Sequence, residues 1–360
     1  MNAIVFALRG CSTGWLGAYG NEWVATPNLD RLAAESVVFD RHISDHPSQA
    51  GANRAWFPSG PPSGVKSVLI RANHPETDSP ADFYAGWSEV FDARPQEGDA
   101  SPLDPMIREL PNVLDRLASE SRALIWIDID RLLPPWEVPQ DVFEAYIADE
   151  GEELEKIEPL ADPEEGPFDK SDAAAWEWLH SSFAAVVTTL DAELGSVFEL
   201  LRERGLDKTA TWIVTSDFGY PLGEHGCVGA ARSDLHEELV HVPLIVRLPN
   251  AAEAGRRVEG FTQPADVARF LEPDAQARVD VEPLLARQSP DHAISRTETS
   301  ASIRTDQWAF LLPFESDRKP MLFVKPDDHW EVHDVLSLRE DAAEELEKKL
   351  RLELKHEPEA

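Results

Sequence analysis

The sequence predicts an α/β protein: a mainly parallel central sheet with helices on both faces, and a small antiparallel sheet with a terminal helix appended at the C-terminus. Three observations carry this. Short apolar runs of strand length recur along the chain, at Ala3 to Leu8, Val65 to Ile70, Ala123 to Asp128, Ala210 to Ser216 and Val242 to Arg247. Between them lie stretches with apolar residues three and four positions apart, and strand, helix, strand in alternation means a three-layer sandwich around a parallel sheet. After about Arg287 the pattern changes to closely spaced short strands.

Taken in order, Ala3 to Leu8 is uncharged and reads as the first core strand. Thr26 precedes Pro27, which suits a first helical position, and Leu29, Leu32 and Ala33 then share one face. The longest helix is expected from Ala173 to Arg204, with Phe183, Val186, Val187, Leu190, Leu194, Val197 and Leu201 forming its apolar stripe. Asn73 to Ala81, Arg94 to Pro105 and Asp149 to Lys170 are rich in Pro, Gly and acidic residues and read as loops or insertions on the sheet's rim. Ala293 to Arg296, Ser302 to Arg304, Trp308 to Leu312 and Met321 to Val324 make the small sheet, closed by a charged helix from Leu338 to His356. The expected division is 1–287 for the α/β domain and 288–360 for a C-terminal subdomain packed on it. No internal repeat is present.

The chain has 360 residues, and 33 Lys and Arg against 67 Asp and Glu give a net charge of -34. That balance excludes nucleic acid and anionic membrane surfaces as partners. Two cysteines, Cys11 and Cys227, make no disulfide framework. The apolar run at the start lacks a basic leader and a cleavage site and is too short to span a bilayer, so a cytoplasmic protein is expected. The acidic stretch Asp149 to Glu165 lacks the spacing and turn glycine of a calcium loop and reads as a solvated face.

Ligand sites in open α/β sheets lie outside the carboxyl ends of the strands. Several segments there resemble one family. They include Leu16-Gly17-Ala18-Tyr19-Gly20-Asn21, Thr26-Pro27-Asn28-Leu29-Asp30-Arg31-Leu32-Ala33, Thr215-Ser216-Asp217-Phe218-Gly219 and Gly223-Glu224-His225-Gly226. Glu237 to Ile245, Ile303 to Trp308 and Trp330 to Val335 continue the likeness in the same order. Together they resemble the sulfatases, members of the alkaline-phosphatase-like superfamily, along the whole length.

The resemblance implies a calcium ion held by two consecutive aspartates after the first strand and by an Asp followed by Asn or His after a later one. Those positions here are Arg9, Gly10, Asp217 and Phe218, of which only Asp217 offers a carboxylate. It also implies a Cys or Ser opening a Cys-x-Pro-x-Arg motif and oxidised to formylglycine. The matching segment is Ala50-Gly51-Ala52-Asn53-Arg54, and Ala50 has no heteroatom to attack with. Leu133 stands near the place of a substrate-side His, and Ala230 replaces an expected Lys, leaving Arg232 as the nearest cation. If the alignment slips, Ser48 and Cys11 are the alternative nucleophiles.

The expected function follows from these losses. The chain reads as a pseudo-sulfatase without calcium or other cofactor, in a binding or regulatory role toward another protein or a small anionic or sulfated ligand. The competing reading is a sulfuric ester or phosphoester hydrolase with a rewired site, using Asp217 and His225. Arg9 either pairs with Asp217 in place of a cation or points into solvent. Arg9, Arg54, His225 and Arg232 are the candidate anion-binding residues. Trp56 and Trp136 are either a stacking surface or core residues, and Cys11 and Cys227 either approach the pocket or serve as buried structural thiols.

Overall fold

The computed structural model describes residues 3–72, 85–147, 157–230, 234–271 and 290–355. The first part of the chain forms β1 (Ala3–Leu8), α1 (Pro27–Ala34), β2 (Val37–His42), α2 (Gln49–Trp56), β3 (Lys66–Ala72), β4 (Glu89–Ala93), α3 (Asp104–Leu117), β5 (Ala123–Ile129) and α4 (Gln140–Ile147). It continues with β6 (Gly166–Pro167), α5 (Ala173–Glu203), β7 (Thr211–Thr215), β8 (Cys227–Val228), α6 (Glu237–Val240), β9 (Leu244–Arg247), β10 (Arg256–Thr262) and α7 (Pro264–Leu271). The last region holds β11 (His292–Arg296), β12 (Ser300–Thr305), β13 (Trp308–Pro313), β14 (Met321–Val324) and α8 (Glu340–Glu353).

Eight strands make one sheet in the order β10-β2-β9-β7-β1-β5-β3-β4. The pairings are parallel except at β9, which runs against both β2 and β7. β1 is central and buried on both faces, which its uncharged sequence requires. Ile4, Phe6 and Leu8 face a core shared with Leu29 of α1, Leu110 of α3 and Phe183 and Leu194 of α5. Ala3, Val5 and Ala7 face the opposite core, with Ala52 and Trp56 of α2 and Val267 of α7. Each fully buried Leu or Phe of this kind stabilises by about 1.5–3 kcal/mol, so the α5 stripe alone anchors one face of the sheet.

Asp172 caps α5 by accepting from the Ala175 N–H at 3.0 Å. The start of α1 is capped from elsewhere: Asp191 of α5 accepts from the Asn28 and Leu29 backbone N–H groups at 3.0 and 2.8 Å. Thr26 makes no cap bond to its own helix. Its hydroxyl accepts from the Gly17 N–H at 3.0 Å and donates to Asp30 at 3.1 Å.

Three strands of the large sheet, β2, β4 and β10, have no counterpart among the sequence-predicted strands, and Asp104 and Pro105 open α3 where a loop was expected. The whole 73–81 segment, residues 149–156 of the 149–170 segment and the 287/288 boundary lie outside the described residues. The small sheet is antiparallel in the order β11-β12-β13-β14. Ala343, Leu346 and Leu350 of α8 pack on Ile303, Phe310 and Leu322. A 3-10 turn, Leu336–Leu338, stands where the terminal helix was expected to begin. This region docks on the main sheet through Ser295, whose hydroxyl donates to the Ser44 carbonyl at 2.6 Å, and through Arg304. Among the described residues no helix is long and apolar enough to cross a membrane.

Candidate functional site

Strands β7, β1 and β5 are neighbours running the same way, so the residues just past their carboxyl ends meet. Arg9 follows β1, Asp128 and Asp130 stand at the end of β5, and Asp217 follows β7. Arg9 is 5% exposed and Asp217 1%. The Arg9 Nε lies 3.1 Å from Asp128 Oδ1 and 3.6 Å from Asp217 Oδ2. Arg9 therefore points inward and bridges two carboxylates. Asp217 is also fixed locally: its Oδ1 accepts from the Phe218 N–H at 2.9 Å.

Burial outweighs the positive charge that the described residues supply to this cluster. Burial pushes the Asp217 carboxyl up to about 6, with Arg9 pulling it down and Asp128 pushing it up. Burial likewise raises Asp130 to about 8, with the same opposed effects of Arg9 and Asp128. Arg9 Nη2, Asp130 Oδ1 and Asp217 Oδ2 are buried without a hydrogen-bond partner among the described residues. Asp128 and Asp130 were not singled out as site residues from the sequence. The readable signal was an Asp-x-Asp pair ending a strand buried throughout.

The substituted positions are packed with apolar groups. Gly10 has φ +81°, and a Cβ there would lie 2.9 Å from Leu133 Cδ2. The structure thus brings Gly10 and Leu133 together, with the leucine filling the space beside the glycine. Phe218 and Ala230 pack against one cluster formed by Ile43, Leu235, Leu239 and Phe261. Ala50 lies half-buried in the first turn of α2. Ser48 is the exposed N-cap of that helix, its Oγ accepting from the Gly51 N–H at 3.1 Å.

The remaining candidates that the structure describes do not join Arg9. Arg54 is exposed on α2. His225 is engaged with the C-terminal region: its Nδ1 is 2.6 Å from Glu238 Oε1 and its Nε2 3.0 Å from the Glu331 carbonyl. Burial opposes the charge on His225, but the Glu238 carboxylate outweighs it and raises the imidazole. Arg232 lies outside the described residues. Cys11 is buried and burial pushes its thiol up to about 12, which leaves it inert, while Cys227 is half-buried; both are free thiols. Trp56 and Trp136 are core residues, the first tilted against Trp126 with ring centroids 4.8 Å apart and the second edge to face with Phe183 at 5.3 Å.

These residues do not fit the calcium ion that the family resemblance implies. A hard cation needs several oxygen ligands at 2.3–2.6 Å. Two carboxylates of the cluster instead face a guanidinium, Leu133 crowds the place of a side chain on Gly10, and Phe218 brings carbon where an oxygen is required.

A sulfatase family model matches residues 72–271. Human iduronate 2-sulfatase is 32% identical over 104 residues, which is 28% of this chain and 18% of that protein. The N-acetylglucosamine-6-O-sulfatase of Bacteroides thetaiotaomicron is 30% identical over 112 residues, 30% of this chain and 20% of its own length. The matches with these curated relatives thus span about a fifth of the relatives' lengths. Among solved structures, the phosphonate monoester hydrolase of Agrobacterium radiobacter superposes with a TM-score of 0.70 at 17% identity, covering 99% of this chain and 96% of that one. A protein solved with its substrate D-glucosamine-2-N,6-O-disulfate gives 0.70 at 14% identity, covering 98% and 97%. At such identities these structural likenesses establish the fold alone.

Proposed function

We propose that this chain, which belongs to the sulfatase family, is a member that neither binds the family's calcium nor hydrolyses sulfate esters, and that it acts by binding or regulation. One observation carries the reading: the Arg9 guanidinium bridges Asp128 and Asp217 at 3.1 and 3.6 Å. A fixed positive charge in contact with the surviving aspartate competes directly with a cation for the same oxygens. The absence of a heteroatom at Ala50 and the apolar packing of Phe218 and Leu133 support the same conclusion, because without a nucleophile a cation has no reaction to assist.

The rewired hydrolase has less behind it. Asp217 is tied to Arg9, and both ring nitrogens of His225 are engaged by Glu238 and the Glu331 carbonyl. The test is turnover of 4-methylumbelliferyl sulfate, phosphate and phenylphosphonate by the purified protein. No hydrolysis above buffer is expected. Turnover abolished by Asp217→Ala overturns the reading, and a specific calcium-dependent rise in melting temperature overturns the claim about the cation separately.

A further inference from the structure

Apart from the Arg9 cluster, the molecule has a cleft of about 700 Å³ between the loop after β1 and the 329–330 turn of the C-terminal region. None of its lining residues belongs to the Arg9 cluster. Two tryptophans line it, Trp23 and Trp330, and they are 50% and 49% exposed. Half-exposed tryptophans are costly to leave in water, so two on one cleft mark a surface that another group covers.

Both rings are held in place from behind. Trp330 meets His329 edge to face at 4.7 Å, and its far edge lies on Gly14, where a Cβ would come within 2.9 Å of it. Trp23 packs against Trp15 and Tyr146 with ring centroids 6.2 and 5.4 Å apart. Its backbone N–H donates to the Asn21 side chain at 2.9 Å. Such platforms lose little conformational freedom when a ligand stacks on them.

The polar groups of the cleft specify the ligand's character. Asp40 uses Oδ1 for the Arg257 guanidinium, at 2.5 Å from Nη2 and 2.8 Å from Nε, which neutralises that cation. Glu22 is exposed and makes no ion pair among the described residues. Burial lowers the His329 imidazole, against the pull of Glu237. The balance among the charged side chains of the lining is one carboxylate, Glu22, without an ion-pair partner among the described residues, which repels sulfate and phosphate and suits an uncharged ligand that can donate to it. A compact ammonium needs aromatic faces converging within about 6 Å of one point, whereas a cleft of this volume suits a ligand of more than one ring.

We propose that this cleft is a binding site for a neutral oligosaccharide, whose pyranose rings stack on Trp23 and Trp330 while their hydroxyls donate to Glu22 and Asp40. The proposal does not depend on whether the Arg9 centre is inactive. It is tested on the intact protein with N,N′-diacetylchitobiose, lactose and maltose, by tryptophan fluorescence and ligand-observed saturation-transfer NMR, with a disulfated heparin disaccharide and tetramethylammonium as comparison probes. At least one neutral disaccharide is expected to give saturable binding. Trp330→Ala and Trp23→Ala are each expected to weaken it about tenfold, the loss of one stacking contact. Gly14→Ala, which displaces the Trp330 ring without removing it, is a second variant with the same expected direction. Trp178→Ala, at a tryptophan outside the cleft that is also 40% exposed, is expected to bind as wild type. Three outcomes each overturn the proposal: no saturable signal with any neutral disaccharide, undiminished binding by both Trp330→Ala and Gly14→Ala, or binding of only the disulfated sugar or tetramethylammonium.

Discussion

Two buried clusters of charge differ in how their charge is balanced. In the first, Asp128, Asp130 and Asp217 share Arg9, with Arg71 near Asp130 also committed to Asp92 at 2.9 Å. In the second, Glu331 meets Arg304 at 2.9 Å, Lys325 at 3.2 Å and His236 at 3.0 Å. Glu237 there meets Lys325 at 3.0 Å, Arg304 at 3.4 Å and His241 at 2.7 Å. Burial alone would raise both glutamates. The surrounding cations reverse this, bringing Glu331 down to about 2 and Glu237 well below its ordinary value. Burial wins in the first cluster and the partners win in the second. The second is a finished structural joint that clamps the C-terminal region onto the sheet. Among the described residues, the first sets three carboxylates around one arginine, and burial is only partly offset there.

The largest effect is expected where the joint is broken. Arg304→Met leaves Glu331 and Glu237 buried with fewer partners, and Glu331 additionally holds a strained left-handed backbone, φ +57°. Removing one partner of such a buried network costs about 3–5 kcal/mol, measurable by urea denaturation. A loss below about 1 kcal/mol would mean that the two clusters do not differ in kind.

Arg9→Met is expected to cost less, about 1–3 kcal/mol at pH 8, because its partners can escape by taking up protons. The sign follows from Asp217, whose folded pKa of about 6 is already above the unfolded value. A raised group contributes stability fully below its unfolded pKa and loses it as pH rises through the folded one. Removing Arg9 raises the folded value further. The variant should therefore approach wild type near pH 5 and fall away by pH 8, and equal deficits at both pH values would contradict the unbalanced-charge account.

How much of this was legible in the sequence depends on whether a residue's role is local. β1, β5 and α5 were readable because their apolar patterns are long and uninterrupted. β2, β4 and β10 were not, because Asp40 and Arg41, Glu89 and Asp92, and Arg256, Arg257 and Glu259 interrupt the apolar signal on strands toward the sheet's margins. The resemblance named Arg9 and Asp217 as site positions but left open whether Arg9 pairs with Asp217 or points into solvent. Asp128 and Asp130 could not be singled out, since an Asp at a strand end looks like any strand terminus until the neighbouring strands are known. The joint of Glu237, Arg304, Lys325 and Glu331 joins residues up to 94 positions apart, and no periodicity announces it.

Asp130 gives a smaller and opposite effect. With a folded pKa of about 8, it costs stability as pH rises from about 4 toward 8. Asp130→Asn keeps the shape and removes the titration. Thermal melts at pH 4.5, 6 and 8 should show the variant gaining on wild type as pH rises. A variant equally destabilised at all three would show that Asp130 is matched to its surroundings after all.

No gain in metal binding is expected from Phe218→Asn, which sets a side-chain oxygen next to Asp217. The ring is half-buried against Leu235 and Leu239, so about 1–2 kcal/mol of packing is lost. Calcium should still leave the melting temperature unchanged, because Arg9 continues to hold Asp128 and Asp217 and Gly10 still has no side chain. A calcium-dependent rise in this single variant would place the barrier to metal binding at Phe218 and not at Arg9. The same titration on Phe218→Asn with Arg9→Asp separates the two, since there the guanidinium is gone and a carboxylate at position 9 joins those of Asp128, Asp130 and Asp217.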